Sequence, residues 1–250
     1  MSRRPHLPLI AAACWIAIGA ACAGPPPRLS EYLGSSSESQ KQGLDQVSRP
    51  LDIGLLLLND SQGQGAAPAI NQESLAKLTE WGKQALDQVA DFRVVKVLDG
   101  AQIRPTHDRV QFIRLAQEQG LNHLLVVVQS GTETVAPAAL PLGGPEAITL
   151  SGTEVKNYSL SEFALLEGKT GQTVLEVSGR GWATLEAPTV SLQSNQYPVV
   201  RRSIHSAPIF PSEANARETL RSVAAADAFE QALMHLQQAW PKARMTSAPN

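Results

Sequence analysis

The sequence has little cysteine: Cys14 and Cys22 are the only two. Cys14 lies inside an apolar leader and leaves with it, so a mature chain keeps one thiol and no disulfide framework, although export would permit one. Positive charge is scarce as well. Lys and Arg number 21 against 23 Asp and Glu, a net charge of −2, and no basic stripe forms, which excludes nucleic acid as an electrostatic partner. Beyond residue 21 no run is long and apolar enough for a membrane helix, which takes about 20 residues. His107, His123, His205 and His235 share no ligand spacing and have no cysteine to help them, so neither metal nor cofactor is expected. Gly63-Gln64-Gly65 lacks the third glycine of a dinucleotide loop, and Pro68 parts it from the next helix, so an amide cradle for phosphate is not expected. No carboxylate pair stands out either, because Asp60, Asp99 and Asp108 all have turn or cap explanations. Aromatics are few at 5%, but 43% hydrophobic residues suffice for a core.

What is present begins at the amino terminus. Ser2, Arg3, Arg4 and His6 make a basic start, residues 7–21 an uncharged apolar run, and Gly19-Ala20-Ala21 a small-residue exit, which together read as a secretory signal peptide over 1–21. Gly19-Ala20-Ala21-Cys22 resembles the lipobox of bacterial lipoproteins, departing from it at Gly19, where that family has Leu. The resemblance implies that Cys22 is acylated and anchors the chain to membrane lipid. Each buried CH₂ of an acyl chain contributes about 0.8 kcal/mol, so two or more chains hold stably. Ala23, in place of an aspartate, implies by the same resemblance the outer membrane, facing the periplasm. Ordinary cleavage after Ala21-Cys22-Ala23 is the alternative.

Residues 22–47 are rich in Pro, Ser, Gln and Gly without an apolar period and read as a flexible tether reaching about 25–30 Å. A single domain follows over 48–242, with a disordered tail at 243–250. Residues 51–58 form an Ile/Leu strand buried on both faces. Asn71 caps a helix carrying Leu75, Leu78, Gly82, Ala85 and Val89. Residues 92–98 make an edge strand; Thr106 or Asp108 opens a second helix that Gly120 closes; residues 124–128 are a third strand. Residues 135–152 read as a long loop. Residues 155–166 and 172–185 flank the Glu167-Gly168-Lys169-Thr170-Gly171 turn of a β-hairpin, and residues 188–211 form a second irregular segment. Ala226, Phe229, Leu233, Leu236 and Trp240 mark a terminal helix. The expected fold is α/β, a mixed sheet with helices packed on it in a three-layer-like arrangement: β-α-β-α-β, then hairpin and helix.

The apolar first strand ending in Asn59-Asp60, the helix–strand–helix, and the passage Ala116…Gly120-Leu121-Asn122-His123-Leu124-Leu125 have a known likeness. With Phe163-Ala164-Leu165-Leu166-Glu167-Gly168-Lys169-Thr170-Gly171-Gln172 and the alanine-rich last helix, they resemble a group of envelope lipoproteins over residues 51–240. The group includes the curli-secretion lipoprotein, the activator lipoproteins of penicillin-binding proteins and the amino-terminal domain of TolB. The resemblance implies a non-enzymatic domain that binds another envelope protein or assembles into a complex, with a homo-oligomer as one form.

Ser74-Leu75-Ala76-Lys77 fits Ser-x-x-Lys, and Lys169-Thr170-Gly171 fits the Lys-Thr-Gly of penicillin-recognising enzymes. No Ser-Asp-Asn or Ser-x-Asn element lies between them, so a capping-region serine, a surface lysine and a turn explain these residues better. The long segment 188–211 carries Tyr197, Arg201, Arg202, Ile204 and Phe210, a mixture of aromatics and arginine that suits a protein-binding surface. The competing expectation is a strand or loop laid over the sheet, with Arg201 and Arg202 solvated. The sequence therefore points to a membrane-anchored adaptor without catalysis, with a structural subunit of an envelope complex and an acyl-transfer enzyme as alternatives.

Overall fold

In the computed structural model, residues 24–34, 50–89, 91–143, 148–190, 196–202 and 206–245 are described. The signal peptide, Cys22, Ile204 and His205 lie outside them. Alternation of Leu and Ile makes Leu51–Asp60 a strand (β1) with two apolar faces: Ile53, Leu55 and Leu57 point one way, Leu56 and Leu58 the other. Such a strand must be covered on both sides. Its parallel neighbours are Phe92–Leu98 (β2), at the sheet edge as expected, and His123–Leu142 (β3). Antiparallel pairing then adds Ile148–Glu167 (β4), Thr173–Pro188 (β5) and Val199–Arg201 (β6), in the order β2-β1-β3-β4-β5-β6.

Helices Gln72–Asp87 (α2) and Ala216–Met245 (α4) cover one face. Leu78, Leu86, Phe229, Leu236 and Trp240 pack there on Leu55, Leu125, Phe163 and Leu165. Helices Leu29–Leu33 (α1) and Val110–Glu118 (α3) cover part of the other, where Leu29, Tyr32, Leu33, Phe112 and Ala116 meet Leu56, Val126 and Ala164. The three layers match the expected architecture. Local signals hold too: Asn71 Oδ1 accepts from the Ser74 amide at 2.8 Å, Asp108 Oδ1 from that of Val110 at 2.9 Å, and Gly120 takes a φ of +66° after α3.

Helix α4 lies unusually close to β5. A β-carbon at Gly179 would stand 2.1 Å from the Ala232 amide nitrogen, and one at Gly181 2.4 Å from that of Ala228. The alternation Gly179-Arg180-Gly181-Trp182 turns both glycines toward the helix and leaves Arg180 and Trp182 on the far face.

Four expectations are corrected. Residues 24–34 are packed rather than tether-like. The Arg28 and Leu29 amides donate to a Glu162 carboxylate oxygen at 2.6 and 3.1 Å, the Arg28 guanidinium reaches Asp60 at 3.0 Å, and Leu29, Tyr32 and Leu33 are buried. The rest of the expected tether lies outside the described residues. Residues 135–142 and 148–152 are not loop but the outer ends of β3 and β4, paired from Val135↔Val155 to Leu142↔Ile148. Pro137 and Pro141 disguise this stretch. They fit because β1 pairs with β3 only as far as Ser130 and Ala66 bridges Thr132, beyond which β3 is an edge and can lose donors. Within 188–211, residues 199–201 are strand β6, paired to β5 at the edge of the sheet rather than laid over it, and Arg202 is ion-paired to α4 rather than solvated. Finally, α4 continues through Pro241 to Met245, three residues into the expected tail.

Candidate functional site

Where α2 and α4 diverge toward the amino-terminal ends of both helices, they leave a groove of about 460 Å³. Ile70, Leu78, Trp81, Val223 and Ala226 supply its apolar lining, and Ser74, Lys77, Glu218, Thr219 and Ser222 its polar members. Gly82 sets the geometry. A β-carbon there would come within 2.6 Å of the Phe229 ring, so only glycine lets Phe229 reach α2 and lie edge-on to Trp81, with ring centroids 5.4 Å apart. Trp81 is held there with 38% of its surface exposed. At the groove's end the Asn71 amide donates to Glu218 Oε1 at 3.0 Å, joining the cap of α2 to α4.

An apolar lining with hydroxyls and an amide cap among the polar members can hold an apolar side chain while satisfying the polar groups around it. Acyl transfer needs more. Lys77 gives its ammonium to Glu73 Oε1 at 2.6 Å, in an exposed pair, and this bond holds the Glu73 carboxyl below its ordinary range. A solvated, ion-paired ammonium is not the desolvated base that would activate Ser74. The second half of the motif is at the opposite end of the sheet. Ser74 follows the carboxyl end of β1, whereas Lys169-Thr170-Gly171 turns beside its start, through Ile53↔His123 and His123↔Glu167.

The residues expected to form a partner surface separate. Tyr197 is buried with Leu140 and Val199 and donates its hydroxyl to the Pro141 carbonyl at 3.0 Å; burial pushes that hydroxyl's pKa up. It is a core residue. Arg202 spans to α4, 2.6 Å from Asp227 Oδ1 and 2.9 Å from Glu230 Oε2, fastening the end of β6. Arg201 is half-buried on the β6 edge. Phe210 keeps 54% of its surface exposed beside Ile209, whose backbone exchanges hydrogen bonds with Val200. The sequence reasoning missed the groove. Its available signal was a tryptophan next to Gly82, beside the helix stripe rather than in it.

A polar belt crosses the middle of the sheet. Glu133 accepts from Arg221 Nε at 2.6 Å and from Asn157 Nδ2 at 3.3 Å, and Ser159 donates to Asn157 at 3.0 Å. On the opposite face, burial and the charge of Asp60 push the Tyr32 hydroxyl up to about 12, so it stays neutral and serves packing. His123 is a half-buried strand residue whose pKa is lowered by burial. Among the described residues no group of three or more His, Cys, Asp or Glu could hold a metal ion, and no helix is long and apolar enough to cross a membrane.

No family description and no curated protein matches this chain. Solved structures similar to it include a neuraminyllactose-binding hemagglutinin homologue from Helicobacter pylori, 8% identical at a TM-score of 0.40, covering 86% of this chain and 96% of that one. A PelC dodecamer from Paraburkholderia phytofirmans is 10% identical at a TM-score of 0.30, covering 75% and 94%. The carboxy-terminal domain of LpoB from Salmonella enterica is 15% identical at a TM-score of 0.29, covering 54% and 85%. At these values the likenesses are distant and say nothing of ligand or partner.

Proposed function

We propose that this chain is a cell-envelope lipoprotein anchored through Cys22 that binds another protein with the groove between α2 and α4 and performs no catalysis. The groove carries the reading: it exposes Trp81 on an apolar lining, and tryptophan in a partly formed pocket is the kind of residue on which binding energy concentrates. The same groove holds Ser74 and Lys77 without a nucleophile–base pair. The sequence supports the anchor and the exported location, through the leader and the lipobox-like Gly19-Ala20-Ala21-Cys22.

A photo-crosslinking side chain placed at Ser222, inside the groove, tests the proposal in native membranes, with Met234, exposed farther along α4, as the control position. One discrete adduct from Ser222, absent from Met234 and lost with Trp81→Ala, is the expected result. Trp81→Ala removes an anchor of a size that costs 2 kcal/mol or more at binding centres, about a 30-fold loss of affinity. No adduct at Ser222, or an adduct indifferent to Trp81→Ala, overturns the groove as the binding site.

A further inference from the structure

Gly24 is docked on the sheet. A β-carbon there would stand 3.0 Å from a guanidinium nitrogen of Arg180 and 3.9 Å from the Tyr158 β-carbon, on the face turned away from α4. Two residues of extended chain span at most about 7 Å. A lipid attached at Cys22 is therefore tied within about 7 Å of chain from Gly24, and no long spacer separates the domain from its anchor.

The surface at that point has the composition of a membrane interface. Trp182, 42% exposed, pairs across the strands with Tyr158, and the apolar cluster built by α1 and α3 reaches only to Val128 on β3 and Ala164 on β4. Beyond it this face carries Thr132, Lys156, Tyr158, Arg180, Trp182 and Thr184 on adjacent strands. Tryptophan and tyrosine, apolar rings with one polar atom, favour the headgroup level of a bilayer. Lys156 and Arg180 on this face are matched by Glu154 and Glu186, with Lys156 Nζ 3.0 Å from Glu154, so the contact does not depend on anionic lipid.

We infer that the outer half of the β3–β4–β5 face, centred on Trp182, lies against the lipid surface to which Cys22 is attached. The groove between α2 and α4, on the opposite face of the sheet, is then turned toward the aqueous space. This orientation rests on the proposed acylation of Cys22, and the two can fail separately.

The test supplies the anchor chemically. The mature chain, whose sole thiol is Cys22, is coupled to a maleimide-headgroup lipid in phosphatidylcholine vesicles brominated near the headgroup end of the acyl chains. Its tryptophans are then Trp81, Trp182 and Trp240. Bromine should quench the wild type and W81F, while W182F loses at least half of that quenching. Equal quenching of wild type and W182F, or no quenching in any of the three, overturns the orientation; circular dichroism of W182F confirms that it is folded. Mass analysis of the amino-terminal peptide from native membranes decides the anchor independently. An unacylated terminus would remove the premise without altering the vesicle result.

Discussion

Glu162 shows how one side chain fixes a segment. It is buried on the face covered by α1 and accepts the Arg28 and Leu29 amides. Burial raises its pKa above the ordinary 4.5, and those two hydrogen bonds oppose the rise. A carboxyl raised in the folded state contributes stability that is complete below its unfolded value and lost as pH rises through its folded value. The melting temperature of Glu162→Gln relative to wild type should therefore climb as pH increases from about 4.5, while a difference constant with pH would refute the burial argument. Ser74 supports a second expectation. With Lys77 paired to Glu73 and Lys169 at the far end of the sheet, the purified domain should not hydrolyse a chromogenic β-lactam, and Ser74→Ala should match wild type. Turnover abolished by Ser74→Ala would reinstate the enzyme reading. Cap and turn residues such as Asn71, Asp108 and Gly120 were legible in the sequence because their hydrogen bonds or backbone angles are local. Tyr197 was not, because its burial depends on Leu140 and Pro141, more than fifty residues earlier.

Among the elements, the contact between α4 and β5 is the tightest. Gly179 and Gly181 face Ala224, Ala228 and Ala232 with no room for a methyl group, and the two nearest opposing atoms at each are backbone. Gly181→Ala must lift the helix or bend the strand, at a cost of about 1–3 kcal/mol. In a domain of this size that lowers the melting temperature by roughly 2–12 °C. Ser178→Ala, at an exposed neighbouring position, should change it by less than about 0.5 kcal/mol; similar shifts for the two variants would show that the close approach is not limiting. The order and type of the main elements could be read from apolar period alone: β1, α2, β2, α3, the start of β3, the hairpin and α4. The outer ends of β3 and β4 could not, since a strand with a free edge tolerates the prolines that read as loop. The groove escaped for a related reason. It is the space left between two helices far apart in sequence, and neither helix records it by itself.

At the scale of the molecule, residues 24–34 decide whether the domain is complete. They bring Leu29, Tyr32 and Leu33 to Leu56, Leu58 and Val126, and each fully buried side chain of this size contributes about 1.5–3 kcal/mol. A chain beginning at residue 35 should therefore melt roughly 8 °C or more below one beginning at residue 24; a true tether would make the two melt together. The sequence concealed this strap because Pro25-Pro26-Pro27 and Gly34-Ser35-Ser36-Ser37 enclose five helical residues, too short a stretch for a period to show.

Arg28 and its acceptor Glu162 stand 134 residues apart in the chain. For a polypeptide exported leader first, residue 28 crosses long before the strand that will receive it exists. Under the proposed acylation, a peptidase or acyltransferase working at Cys22 would meet this segment before its docking site exists. Once β4 and β5 arrive and Gly24 settles against Arg180, the same segment is withdrawn. The proposed export would thus place maturation before folding, with the strap closing only after processing at Cys22.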